Sequence, residues 1–330
     1  MIPDLEPLES LEGYRQYFMD ETLWRSHIQT VCLRHNLLPC QQIRAGLAGT
    51  CPTFIVEDRW VVKFFGRLFD GQRSYETELQ VSRLLPSDLT IRVPAILHFG
   101  NLFEADSVWS WPYLIFEYIN GISIGEVYEQ VSLEDKLSLA RTLGEATRQL
   151  QHLPLERAPL FHAGWDGNIR FLQNQRKHCL ANHREWQSVP VHLIDQLEAY
   201  LLPVENLVDR RVPPGLIHAD ITRDHILGQL QEGRWETLGL IDFGDARVGN
   251  VFYDLAALHL DLFRYDKRLL RAYLEVFGFR DDPQFTQKAM SAALLHQFNV
   301  FGKLSEVLPH VCQAVTLDDL ANMIWDIELM

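Results

Sequence analysis

Two short apolar runs, each closed by an aspartate, constrain this chain more than any other feature. Gly215-Leu216-Ile217 leads into His218-Ala219-Asp220, and Leu238-Gly239-Leu240-Ile241 leads into Asp242-Phe243-Gly244-Asp245. Both runs are too short for helices and read as buried strands. Between them, Ile226-Leu227-Gly228 and Trp235-Glu236-Thr237 form a hairpin with Gly233 at the turn. If the two runs are adjacent strands, their terminal carboxylates converge on one ligand. One carboxylate can then accept a proton from a hydroxyl while the other holds Mg²⁺ on a nucleotide phosphate. That division of labour is the template of phosphoryl transfer.

Composition narrows the function classes. A chain of 330 residues is long enough for two lobes. With 47% apolar and 22% charged residues it reads as an ordinary globular protein. No apolar run reaches membrane-spanning length. The first residues, MIPDLEPLESLEG, are acidic and lack a basic-then-apolar leader, so a cytoplasmic location is expected. The five cysteines are scattered and include no CxxC pair, which predicts reduced thiols and neither a zinc site nor a disulfide framework. A net charge of −14 argues against a nucleic-acid partner, which needs a basic surface. It suits a cationic small-molecule substrate, and it equally suits plain solubility.

In the N-terminal half, Asp20 caps a helix to Asn36 that carries Trp24, Ile28, Val31 and Cys32 on one face. Strands are expected at Gln41–Ala45, Thr53–Val56 and Trp60–Phe65, with a loosely glycine-rich turn at Gly46–Pro52. Lys63 lies inside the third of these. A lysine there either meets an acidic partner or snorkels to water from an edge strand. A helix over Ser74–Leu85 offers two partners. Glu78 shares a face with Ser74, Val81 and Leu85, whereas Glu76 shares one with Gln80 and Arg83. Helical spacing therefore selects Glu78. Further strands are expected at Val93–Gly100 and Trp111–Tyr118, ending at Asn120-Gly121.

Taken together, His218-x-Asp220-x-x-x-x-His225 followed by Ile241-Asp242-Phe243-Gly244 resembles the catalytic and metal-binding segments of the aminoglycoside phosphotransferase family. The resemblance covers nearly the whole chain. It implies an α+β, two-lobed protein-kinase-like fold, with a nucleotide-binding lobe over 1–119 and a catalytic, substrate-binding lobe over 120–330. It implies ATP or GTP and Mg²⁺ as cofactors. Asp220 becomes the base, Asp242 a metal ligand, and Lys63, held by Glu78, the contact to phosphates. Gly49 and Thr50 face the phosphates, and Glu117, Tyr118 and Ile119 form the hinge against the base. His218 buttresses the loop. His225 stands where the family usually has Asn as second metal ligand. Val62–Gly66, Trp109–Leu114 and Leu258–Arg264 are closest to hygromycin B phosphotransferases of the 7″-hydroxyl type. A kinase of another small amine or sugar, or a silent nucleotide-binding protein, remain rivals. His225 favours the last, because imidazole suits Mg²⁺ poorly.

The rest of the C-terminal half reads as helical. Ser132 caps a helix to Leu153, with Leu133, Leu137, Ala140, Leu143, Ala146 and Leu150 as its buried face. Residues 154–190 show weak periodicity and predict an irregular insert with short helices, in which His162, His178 and His183 lie at the surface. One amphipathic helix, broken at Pro203, is expected over Val191–Val208. Asp254 is expected to begin a helix and brace the catalytic loop. Asp261, Asp266, Glu275, Asp318, Asp319, Asp326 and Glu328 are candidates for a cationic substrate site or a solvated surface.

Overall fold

The computed structural model describes residues 5–47, 49–104, 109–280 and 282–327. Helix Glu21–Arg34 begins where expected, Asp20 accepting hydrogen bonds from the Thr22 and Leu23 amides. It lays Trp24, Ile28, Val31 and Cys32, all fully buried, on a five-stranded antiparallel sheet. The strands are β1 (Ile43–Ala45), β2 (Thr53–Val56), β3 (Trp60–Phe64), β4 (Ile96–Asn101) and β5 (Pro112–Glu117). Their spatial order is β1-β2-β3-β5-β4. The strand carrying Lys63 is therefore central, which removes the edge-strand reading of that lysine. Helix Gly71–Leu84 starts earlier than the expected Ser74. A Cβ on Gly71 would lie 2.0 Å from the Gly66 carbonyl oxygen, so only glycine allows this close turn into the helix.

The second lobe is mainly helical. Ser132 caps helix Leu133–Leu150 through the Asp135 amide. Its buried face is Leu139, Ala140, Leu143, Ala146 and Leu150, while Leu133 is exposed and Leu137 half-buried, so the expected face is correct only beyond the first turns. The expected irregular insert is instead a 23-residue helix, Gly164–Trp186. Two of its inward positions are polar, and these break the apolar period. Asn168 donates to the Val248 carbonyl, and buried His183 pairs with the Leu294 carbonyl at 2.9 Å, a core role where a surface one was expected. His162 and His178 are exposed. Val191–Val208 forms three short pieces, Val191–Ile194, Leu197–Tyr200 and Val204–Leu207, not one helix broken at Pro203.

A set of short strands completes this lobe: β6 (Ile122–Ser123), β7 (Gly215–Ile217), β8 (Ile226–Gln231), β9 (Arg234–Leu240) and β10 (Arg247–Gly249). β8 and β9 form the expected hairpin. Glu232 and Gly233 both have positive φ, the twist a two-residue hairpin turn requires. The expected adjacency of the two aspartate-bearing strands does not occur. β7 pairs with β10, whereas Leu238–Leu240 is the end of β9 and belongs to the β6-β8-β9 sheet. Beyond β10 lie helices Val251–Ala257, Lys267–Phe277, Phe285–Leu294 and Leu317–Trp325, with a π-helical segment at Leu258–Leu262. Among the described residues no helix is long and apolar enough to cross a membrane.

Candidate active site

With the two aspartates on different sheets, hydrogen bonds from the imidazole of His218 bring them together. Its Nε2 lies 3.1 Å from the Ile241 carbonyl, which can only accept, so Nε2 carries the proton. Nδ1 then accepts from the Asp220 amide at 3.3 Å. One buried ring thus ties the end of β7 to the residue before Asp242. Burial lowers its pKa to about 3, so it stays neutral and keeps this tautomer. Both ring nitrogens are used, which leaves His218 to position the loop.

The loop itself is strained. Ala219 has φ of 69°, uncommon for a residue with a side chain. It is held from two sides. Its amide donates to Asp254 Oδ1 at 2.6 Å, and its carbonyl accepts from His296 Nε2 at 3.1 Å. Asp254 sits inside helix Val251–Ala257, not at its start; Asn250 is the cap. The brace expected of Asp254 is nonetheless present, with the His218 amide as a second, longer donor at 3.4 Å.

Across the cleft, Lys63 Nζ donates to Glu78 Oε1 at 2.6 Å and to Asp242 Oδ1 at 2.8 Å. Burial alone would lower the lysine pKa, but the two carboxylates outweigh it and hold the ammonium charged. The same contacts, opposing burial, keep Asp242 well below the usual carboxylate range. Glu76 faces solvent and pairs with Gln72. Asp220 behaves oppositely. Burial raises its pKa to about 7, against the pull of His225 and with help from Asp245, Asp242 and Asp261. A carboxylate so poised can accept a proton near neutral pH.

His225 lies between the two aspartates. Its Nδ1 is 2.6 Å from the Asp220 carbonyl, and its Nε2 is 3.9 Å from Asp242 Oδ2. Burial would lower its pKa, yet Asp220 and Asp242 together raise it.

A family model described as "Phosphotransferase enzyme family" matches residues 40–288, which hold all of these groups except His296. This chain belongs to that family. The fold agrees: the GDP complex of wild-type aminoglycoside 2′-phosphotransferase-IIIa superposes with a TM-score of 0.65 at 21% identity, covering 90% of this chain and 99% of that one. A microcompartment-associated aminopropanol kinase superposes with a TM-score of 0.56 at 18% identity, covering 90% and 95%. Among curated proteins, lysine-specific demethylase JMJ21 of Arabidopsis thaliana is 24% identical over 288 residues, 71% of this chain. The chain spans only 30% of the length of that relative. The two-lobed α+β fold implied by the motifs is therefore the fold of this family.

The remaining members of the phosphotransferase cleft line a volume of about 660 Å³. Gly49, Thr50, Lys63, Glu78, Glu117, Tyr118, Ile119, His225 and Asp242 all border it. Gly49 faces open space, and Thr50 is tied through its carbonyl to the Tyr14 hydroxyl at 2.6 Å. Ala48, within the same turn, lies outside the described residues. At the hinge, the Glu117 and Tyr118 amides are already bonded to the Ala95 and Arg59 carbonyls. Tyr118 therefore has no amide to offer a base. The Ile119 amide has no partner among the described residues, so of the three it is the donor open to a ligand.

Of two acids that act on Asp220, Asp261 is among the candidate acids of the sequence and Asp245 is not. Asp245 accepts from Gln297 Nε2 at 2.7 Å, and burial raises its pKa. Asp261, in the π-helical segment, accepts from the Arg223 amide at 2.8 Å and pairs with its guanidinium. Of the seven late acids, Asp261 is the one tied to the catalytic loop. Asp266 and Asp319 cap helices, Glu275, Asp318 and Asp326 are exposed, and Glu328 lies outside the described residues. Only the π register of Leu258–Leu262 distinguishes Asp261, and no sequence period announces it.

Proposed function

We propose that this protein transfers the γ-phosphoryl group of ATP or GTP to a hydroxyl of a cationic small molecule of the aminoglycoside type, with a hygromycin B-like acceptor as the first candidate. We further propose that residues 1–119 form the nucleotide lobe and 120–330 the acceptor lobe. The observation that carries this reading is the placing, on either side of His225, of a depressed carboxylate bound to a buried lysine and of a carboxylate that burial raises despite the pull of that histidine. Lys63, fixed by Glu78, holds the phosphates; the open Ile119 amide and the hinge carbonyls take the base. Asp220 orients the acceptor hydroxyl and receives its proton. The donor set fits a divalent ion as well: Asp242 Oδ2 and His225 Nε2 face the cleft and would hold it. When bound, that ion neutralises charge on the transferring phosphoryl group.

Support for a cationic acceptor comes from the acids around Asp220, namely Asp245 and Asp261, and from the net charge of −14. The same acids would serve the ammonium of a simpler amine or an amino sugar, which is the second reading. The test is nucleotide consumption with a panel of hygromycin B, other aminoglycosides, short amino alcohols and neutral sugars. Turnover confined to neutral sugars would remove the charge argument. No turnover with any hydroxyl acceptor would leave the silent nucleotide binder.

A further inference from the structure

We propose that His225 and Asp242 share one divalent cation through a nitrogen and an oxygen, so that this site selects Mn²⁺-like ions over Mg²⁺. The inference rests on the nucleotide-site reading above. It starts from a tautomer. His225 Nδ1 lies 2.6 Å from the backbone carbonyl of Asp220, an atom that can only accept, so Nδ1 carries the hydrogen. The Thr222 hydroxyl, 3.2 Å from the same nitrogen, adds to the hold on the ring. Nε2 is thereby turned into the cleft, where it makes no hydrogen bond with a described residue.

Asp242 shows the same division between its two oxygens. Oδ1 takes Lys63 at 2.8 Å and the Gly244 amide at 3.4 Å. Oδ2 is left facing Nε2 across 3.9 Å. That gap exceeds any hydrogen bond. Two bonds of about 2.0–2.2 Å each, the lengths zinc makes to imidazole nitrogen and carboxylate oxygen, span it at a wide angle, and a small approach of the two side chains narrows that angle. Each residue therefore has one atom bonded within the protein and one turned to the cleft, and a cation between the two displaces the proton that the carboxylates favour on the ring. Among the described residues no cluster of three His, Cys, Asp or Glu side chains could hold a metal without help. The remaining positions would fall to phosphate oxygens and water, which is the usual arrangement at nucleotide sites.

The consequence is selectivity. Mg²⁺ demands oxygen ligands and gives up water reluctantly, whereas imidazole suits first-row transition ions. The test is pulsed electron paramagnetic resonance of Mn²⁺ bound with a non-hydrolysable ATP analogue. Expected is a ¹⁴N coupling of a directly bound imidazole, converted to the ¹⁵N pattern when histidine is ¹⁵N-labelled and absent in His225→Asn. Calorimetry should show the Mn²⁺/Mg²⁺ affinity ratio falling about tenfold, or about 1.4 kcal/mol, in His225→Asn. The isotope measurement needs no variant, so a misfolded substitution does not shield the proposal. Mn²⁺ and nucleotide bound together with no nitrogen coupling in the wild type would overturn the proposal and leave the nucleotide site standing. Failure of the wild type to bind nucleotide at all would overturn both.

Discussion

The two walls of the cleft are built on opposite electrostatic plans. On the nucleotide wall every buried charge has a partner: Lys63 bonds Glu78 at 2.6 Å and Asp242 at 2.8 Å. On the acceptor wall carboxylates accumulate. Burial raises the pKa of both Asp220 and Asp245, and acids beside each of them add to the rise. The first wall is assembled in advance, since its lysine is already neutralised by the two carboxylates it bonds. The second stores an unfavourable arrangement that an incoming cation or an arriving proton relieves. Carboxylates shifted in this way cluster at functional sites.

The sharpest way to break this contrast is Asp220→Asn. Its expected effect is a loss of about 10²–10⁴-fold in kcat with nucleotide affinity nearly unchanged. A variant keeping more than half the wild-type turnover would strip Asp220 of the role of base. Next comes Lys63→Ala, which leaves Glu78 buried without a counter-charge. Breaking a buried pair costs about 3–5 kcal/mol, so both thermal stability and nucleotide binding should fall. Glu78→Ala should follow in the same direction, and Glu76→Ala, on the solvent side, should be close to neutral. Damage from Glu76→Ala with Glu78→Ala silent would reverse the assignment of the two faces.

Smaller effects probe the acceptor wall by pH. The Asp220 pKa is raised to about 7, so the base form, and with it kcat/KM, should increase as pH rises toward 7. A bound cation can only move that limb lower. The stability sign is the reverse. The folded state holds this proton more tightly than the unfolded chain does, so the contribution of Asp220 to stability falls between about pH 4 and 7 and is flat above. Asp245→Asn removes a neighbour that raises the pKa and should shift the activity limb to lower pH. Superimposable profiles for the two proteins would detach Asp245 from the base.

The smallest expected change is at the join between the walls. Ala219→Gly replaces a residue at φ of 69° by one that adopts it freely. Relief of strain of about 1 kcal/mol is expected, partly offset by the greater freedom of glycine in the unfolded chain. Denaturant unfolding should therefore show little change, and an early midpoint would mean that the Ala219 methyl packs more usefully than its backbone suffers.

The nucleotide wall was the more legible of the two in the sequence. Alternation places β2 and β3, the lysine inside an apolar strand demands a partner, and a 3.6-residue period picks Glu78 over Glu76 two positions away. On the acceptor side the physics is non-local. Three-residue strands such as β7 carry no information about partners, so nothing local distinguishes β10 from the end of β9 as its neighbour. Helix Gly164–Trp186 was hidden because Asn168 and His183 face inward and find backbone carbonyls there. Asp254 and His296 reach Ala219 across separations of 35 and 77 residues, which no local pattern records.

The pairing of β10 with β7 also bears on how the centre comes to exist. Arg247 sits opposite Ile217, so the chain leaves and returns to the same point with Asp220, His225 and Asp242 all on the excursion between. Closing a loop of about 30 residues costs about 3 kcal/mol of chain entropy, and a loop as long as the 179-residue separation of Lys63 and Asp242 would cost about 1.6 kcal/mol more. The base and both candidate ligands can thus be gathered by one local closure. Lys63 and Glu78 have to arrive from another lobe. During refolding, amide protection over 215–249 should accordingly develop as a single unit, with the lysine docking afterwards.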